Sequence, residues 1–509
     1  MYMPAASSLL LAISIASASP ADVIERVEGW IETYAARPER TDAGDLERLD
    51  GLLAGVRTFA DRSPGHATRA GGVVLDLCGA ALEATSVAPA RRRAWEVRDR
   101  AAETWSVLPR AAGTFAVERI LVGGQGVPLP RRVAAAHLFS GSQDPATVRA
   151  LLAAMADPDP GLAAAAADAL VGTDRAEVHA AFMGLMRSEP PAPPAALAAA
   201  EAHFRSIRLG REDPLQKDLA QLALARLGSR DRRQVASGVA LSSPVSDELA
   251  TPALLAALQA WNDADPSNGD RERAQHDLRR ALERRSGLRL GTEAARWRTW
   301  WTTRGDGAPA PAWAPGRTRA GFFGIQPDSA RVTFVLDRSG SMGLAHRSTS
   351  GEETTRFDAA LLQMETYLGS MVPGSRFNLV LFADGAERWS SDLEPVTPTR
   401  IRAAVSWARR RQPGEGTQLR HGLEQGFGLR PDGKLPAGGA PADTLVVLCD
   451  GRTDEGPGWL RWFLRRVNGQ ARVVVHGVQI GQAGDGSLEL LARETGGEFV
   501  GPEPRADER

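Results

Sequence analysis

Cysteine is almost missing from this chain: its 509 residues include two, Cys78 and Cys449, in apolar segments of different regions. A disulfide framework is therefore excluded, no bond between the two is expected, and the redox compartment stays unread. An excess of one charge is missing too, since 61 Lys and Arg stand against 62 Asp and Glu for a formal net charge of -1. With no long basic block, no zinc-type Cys/His spacing and no RNA-binding aromatic signature, nucleic acid is excluded as a partner. The eight histidines are scattered, and neither a His-Glu-x-x-His nor a Gly-x-Ser-x-Gly motif occurs, so no catalytic constellation is expected and the chain reads as a non-enzyme. Gly428 to Lys434 has phosphate-loop spacing, but Leu435 replaces the metal-binding hydroxyl, so nucleotide binding is not expected there. No apolar run is long enough to span a bilayer. Leu9 to Ala16, followed by Ala16-Ser17-Ala18, resembles a secretory leader without the usual preceding Lys or Arg. Residues 1–19 are thus a candidate signal peptide, which would place the protein in the periplasm or outside the cell; without it the chain is cytoplasmic.

What the chain does have is ample core, with 43% hydrophobic residues, and enough length for two to four domains. From Pro20 to about Arg304 the pattern is helical throughout. Asp144-Pro145 opens a helix carrying Val148, Leu151, Leu152 and Met155, the run Asp157 to Gly161 breaks it, and Asp213-Pro214 repeats the opening. Such short helices resemble HEAT-like repeats, although the period is uneven and an irregular bundle fits equally. Trp297, Trp300 and Trp301 share a helical face and are expected to cap the last helical layer rather than to anchor a partner. A Pro/Gly/Ala-rich linker over 305–320 then separates this region from a second domain at 321–502, ahead of a short tail at 503–509.

The second domain alternates strand and helix. Arg331 to Asp337 is an apolar strand; Phe357, Leu361, Met364, Leu368 and Met371 follow at helical spacing, and Phe377 to Ala383 is the next strand. Asp384-Gly385 marks a hairpin, and Thr397-Pro398 caps a helix bearing Ile401, Val405 and Ala408. Strands at 444–449 and 472–480 interleave with helices near 458–467 and 487–495. Alternation of this kind predicts an α/β, doubly wound, mostly parallel sheet of six strands with helices on both faces, Rossmann-like, behind an all-α N-terminal region. Phe322 and Phe323 are expected to add a short edge strand before it.

The first strand stops at Asp337, and Ser339 and Ser341 follow at every second position, gathering hard oxygens of the kind that suit magnesium, calcium or manganese. Alone, such a segment also fits a turn in which these side chains bond their own backbone. The run Asp337-Arg-Ser339-Gly-Ser341 resembles the Asp-x-Ser-x-Ser motif of von Willebrand factor type A domains, the metal-ion-dependent adhesion site. Two further pieces stand in the order that the family has them, Gly414-Glu-Gly416-Thr417 and Leu445 to Asp450-Gly451. The resemblance implies that Ser339, Ser341 and Thr417 supply hydroxyls and that Asp337 and Asp450 bind directly or through water, with Mg2+ (or Mn2+ or Ca2+) as the cation. It implies further that the ion takes a Glu or Asp carboxylate from a protein partner. Magnesium prefers six oxygens at about 2.1 Å, so a donor set with two carboxylates leaves part of the shell to exchangeable ligands. Cys449 replaces the family's usual hydroxyl residue before the aspartate, and its side chain is expected to point away from the metal. The polar loop from Gly343 to Thr354 is expected to alter what reaches the ion.

Arg409, Arg410 and Arg411 end a helix leading to the Thr417 loop and form a candidate rim for an acidic ligand, weighed against a plain role at the helix C-terminus. The expected function is a metal-dependent protein-binding module on a helical scaffold, which the module itself could contact. The competing readings are a non-catalytic subunit of a chelatase-like or ring-ATPase assembly, and a structural repeat protein with a vestigial metal site. The segment after the linker also resembles the lead-in of exported bacterial proteins that join helical repeats to this domain.

Overall fold

The computed structural model describes residues 20–501, apart from 87–89, 123–125, 190, 211, 266–267, 305–320, 326–328, 348–352, 372, 452, 454–458 and 482–483. The candidate leader, the linker and the C-terminal tail lie outside these residues. Among them, no helix is long and apolar enough to cross a membrane. They form two compact units: one holds residues up to His203 together with 431–434, and the other holds 204–430 together with 435 onward.

Up to His203 the regular structure among the described residues of the first unit is helical. Its helices begin where short polar side chains take up the free N–H groups of the first turn. Asp42 and Asp45 form a reciprocal capping box, and Ser63, Asp144 and Asp159 each accept from the N–H three residues on. The Asp-Pro opening at 144 therefore works as the sequence predicts, with proline in the first turn, where its missing N–H costs nothing, and the run expected only to break that helix supplies in Asp159-Pro160 the cap of the next one.

Among the described residues of the second unit, the helices Leu215–Leu227, Arg232–Ser242, Asp247–Asn262, Arg271–Ser286 and Ala294–Thr303 precede the sheet, and further helices lie between its strands. Trp297 is fully buried among Leu254, Leu258, Leu278 and Leu282, with Trp300 and Trp301 packed on the same cluster, and its indole N–H donates to Gly291 O at 2.7 Å. The tryptophans thus cap a core.

The sheet strands are β1 (Arg331–Asp337), β4 (Arg376–Phe382), β5 (Ala386–Arg388), β6 (Glu394–Pro395), β7 (Thr444–Cys449), β8 (Val474–Gln479) and β9 (Phe499–Val500); β2 (Ala345–Arg347) and β3 (Glu353–Thr355) form a separate hairpin. Their order is β5-β4-β1-β7-β8-β9, with β6 also on β4. The β4-β1-β7-β8-β9 pairings are parallel, and β5 and β6 run antiparallel to β4. The continuous path has six strands, as expected in number, with β9 in place of the edge strand expected at Phe322, and β6 is a two-residue addition.

Both faces of β1 and β7 are buried, which is why their sequences read as nearly continuous apolar runs. Val332, Phe334 and Leu336 face a cluster with Leu361, Met364, Leu368, Ile401 and Val405 from the helices Arg356–Gly369 and Pro398–Arg409. Val335, Leu445 and Val447 face the opposite cluster with Leu419, Leu423, Leu460 and Leu491. Phe322 does not start an edge strand. It makes an isolated bridge to Ile325 in a tight turn, and both side chains are fully buried in the first cluster. Their apolar character reflects a plug over the core, not strand pairing.

The N-terminal ends of the strands rest on the helices of the same unit. Arg273 donates to the carbonyls of Asp443 and, at 3.0 Å, of Arg472, and pairs with Asp277 at 2.9 Å. Arg331, which opens β1, bridges Asp270 at 2.7 Å and Asp443 at 3.3 Å. The expected contact between module and helices exists at this end of the sheet.

Candidate metal centre

From β1 the chain crosses to β4 on one side and returns to β7 on the other, so strand order reverses at β1 and β7. In open α/β sheets the crevice beyond the C-terminal ends of such strands is the place for a ligand. Asp337 ends β1, and Asp450 follows the last residue of β7.

A chain of hydrogen bonds joins the residues singled out from sequence. The Ser339 N–H donates to Asp337 Oδ1 at 2.7 Å, the Ser339 and Ser341 hydroxyls lie 3.0 Å apart, and the Ser341 hydroxyl donates to Asp450 Oδ1 at 2.9 Å. Asp337, Ser339 and Asp450 are buried, Thr417 is half-buried and Ser341 is exposed, so the cluster opens to solvent on one side. The Thr417 loop is tied on by backbone: Gly340 N–H donates to Gly414 O at 2.9 Å, and Gly414 N–H donates to Arg338 O at 3.0 Å. Gly414 has to be glycine for this approach, because a Cβ there would sit 2.4 Å from that of Ala383.

Cys449 corrects the sequence expectation. Its side chain points into the cluster, and its thiol donates to Asp337 Oδ2 at 3.2 Å. The reason is register: Val335 pairs with Val447 and Leu336 with Leu448, so Asp337 and Cys449 come next on adjacent parallel strands and face the same way. The Asp337, Cys449 and Asp450 donor atoms lie within 4.8 Å of one another. Burial first, and then the Asp337 charge, push the thiol well above its ordinary range, so it is a neutral donor to Asp337 rather than a thiolate ligand.

Arg356, which no sequence motif marks, also enters the cluster. Its Nη1 stands 2.6 Å from Asp450 Oδ2, with the two side chains 15% and 4% exposed. Of the three candidate rim arginines, two pair with acids outside the five candidate ligands. Arg409 pairs with Asp358 at 3.3 Å, Arg411 pairs with Glu387 at 2.8 Å and lies over the Trp407 ring, and Arg410 is the exposed C-cap of its helix.

The donor set suits a hard divalent cation: carboxylates and hydroxyls converge, and Asp337 is a buried acid that burial raises to about 6. Such a group favours its proton or a cation. With its folded pKa above the ordinary 3.8, its contribution to stability is complete below about pH 3.8 and is lost as pH rises through about 6. Chelator-treated wild type should therefore match Asp337→Asn in stability near pH 4 and fall behind it by about 3 kcal/mol at pH 7. Denaturant melts of both proteins across this range check the sign.

Residues 332–452 match the family profile of the von Willebrand factor type A domain. The C-terminal part of this chain is a von Willebrand factor type A domain. It is 30% identical over 174 residues to inter-alpha-trypsin inhibitor heavy chain H1 of Mesocricetus auratus, covering 33% of this chain and 18% of that protein. Heavy chain H4 of Homo sapiens is 27% identical over 132 residues, or 25% and 13% of the two chains. The match thus spans less than a fifth of these relatives' own length. Among solved structures, a von Willebrand factor type A protein from Catenulispora acidiphila aligns at 18% identity over 34% of this chain and 38% of that one, with a TM-score of 0.28. All five residues singled out from sequence fall within the type A domain, and the structure joins four of them in one hydrogen-bonded chain.

Proposed function

We propose that this chain is a non-enzymatic, metal-ion-dependent protein-binding module. In this reading Asp337, Ser339, Ser341, Thr417 and Asp450 hold a divalent cation, Mg2+ or else Mn2+ or Ca2+, through which the module captures a Glu or Asp of a partner protein. The observation that carries the reading is the hydrogen-bonded run from Asp337 through both serines to Asp450, set at the switch point of the sheet and open to solvent at Ser341. When bound, the cation supplies an electrophilic corner that accepts a carboxylate oxygen. The chain's own residues hold the pocket in shape: the Cys449 thiol and the Ser339 N–H fix the Asp337 carboxylate, and Ser341 aligns Asp450. The relatives named above are, by name, heavy chains of an inhibitor, which supports a role in association. Export of the chain is part of the same proposal, and it rests on the small-residue stretch that follows the apolar run at Leu9 to Ala16.

Partner capture should require the cation. Immobilised full-length protein, incubated with a peptide array of single acidic residues in Mg2+, should retain acidic peptides and release them in EDTA; retention unaffected by EDTA would end the proposal. The arginines at 409–411 are proposed to steer such ligands. Two of them already face acids, so the effect should be modest. Reversing all three charges should slow association by about two- to threefold at low ionic strength. Stopped-flow rates that do not change would remove them from the rim.

A further inference from the structure

We infer that Arg356 is a resident counter-cation of the metal centre, one that competes with the divalent ion for Asp450 and so sets the concentration at which the site loads. The inference rests on the metal reading above and adds to it a residue outside the motif.

Arg356 reaches Asp450 from a fixed platform. It is the first residue of the helix Arg356–Gly369, capped by Thr355, whose hydroxyl accepts the Asp358 N–H at 3.0 Å. The β2-β3 hairpin leads into it, and the Arg356 N–H donates to Leu344 O at 3.0 Å. A slot for the guanidinium is kept open on the far side. Gly481, with φ of +105°, leaves space that a Cβ would fill, at 2.8 Å from the guanidinium carbon and 2.9 Å from both terminal nitrogens. The side chain is therefore directed by elements on both sides, and the Asp450 carboxylate ends up shared between Ser341 on Oδ1 and Arg356 on Oδ2.

Two effects of opposite sign follow for a cation bound by Asp450. A fixed carboxylate is pre-organised, which favours binding. A carboxylate that already accepts a charge-assisted bond has less charge to offer, and a positive group on its other oxygen repels the incoming ion. The charge effect outweighs pre-organisation here, because Ser341 and the backbone around β7 already orient Asp450 without Arg356. The β2-β3 pairing thus acts on the ion by holding this arginine in place.

The test is Mn2+ binding to the full chain, measured by calorimetry and by electron paramagnetic resonance, for wild type, Arg356→Gln and Arg356→Met. Both variants should bind Mn2+ about tenfold more tightly than wild type at low salt, with the difference shrinking as salt rises. Glutamine keeps a hydrogen-bond donor without the charge, so it separates the two effects: if Arg356 only positions Asp450, Arg356→Gln keeps wild-type affinity and Arg356→Met loses affinity. Either that pattern or an unchanged affinity in both variants overturns the inference and leaves the metal reading standing. No Mn2+ bound by wild type overturns both. If Arg356→Met fails to fold, Arg356→Gln carries the measurement, and thermal melts in EDTA verify that it is folded.

Discussion

Asp337→Ala should abolish cation binding, by more than about 100-fold in Mn2+ affinity, while leaving the protein no less stable than wild type in chelator. Most substitutions at a fully buried polar residue destabilise. Asp337 differs because burial holds its carboxyl at about 6, so at neutral pH the folded protein carries a charge that it does not favour. Removing that charge offsets the lost bonds from Ser339 and Cys449. Asp450→Ala should abolish binding equally but leave the Arg356 guanidinium without its carboxylate, and it should lower stability by about 2–3 kcal/mol. Calorimetric Mn2+ titration paired with urea unfolding separates the cases. If Asp337→Ala kept wild-type Mn2+ affinity, the cation would have to sit elsewhere.

The second large effect lies at the other end of the sheet. Arg273→Ala should destabilise the second unit by about 4 kcal/mol, because it breaks the buried ion pair with Asp277 and removes the side-chain donor to the Arg472 carbonyl, while the Asp443 carbonyl keeps the Val474 N–H. Arg273 is 4% exposed, so water cannot readily replace it. Lysine at this position should recover little, since a single ammonium cannot match a planar fork aimed at two carbonyls and a carboxylate. Urea unfolding followed by tryptophan fluorescence should show the loss through Trp297 and its neighbours. A change below about 1 kcal/mol would mean that the helices and the sheet are stabilised independently.

Much of the fold could be read locally. β7 and the helix Ser487–Thr495 begin and end where composition predicts, because a six-residue apolar run and a Gly-Gly stop are local signals. Thr397 caps its helix through the Arg400 N–H, as Thr-Pro predicts. The features missed are those where local pattern and distant contact disagree. Phe322 is apolar and aromatic, which reads as strand, yet the nearby core draws it into a turn. The Gly343 to Thr354 loop reads as polar, with no strand expected in it, yet β2 and β3 pair across it from Ala345 to Thr355.

The site divides along the same line. The order of Asp337, Ser339, Ser341, Thr417 and Asp450, with two of them at the ends of apolar strands, sufficed to propose a donor set, because donor chemistry belongs to side chains and strand ends are written in hydropathy. The orientation of Cys449 and the reach of Arg356 came only with the folded chain. One depends on the register between strands 112 positions apart, and the other on an ion pair 94 positions apart that passes a glycine on a third element. Neither leaves a periodic trace along the chain, since inter-strand register and long side-chain contacts are set by packing among segments that no local window holds together.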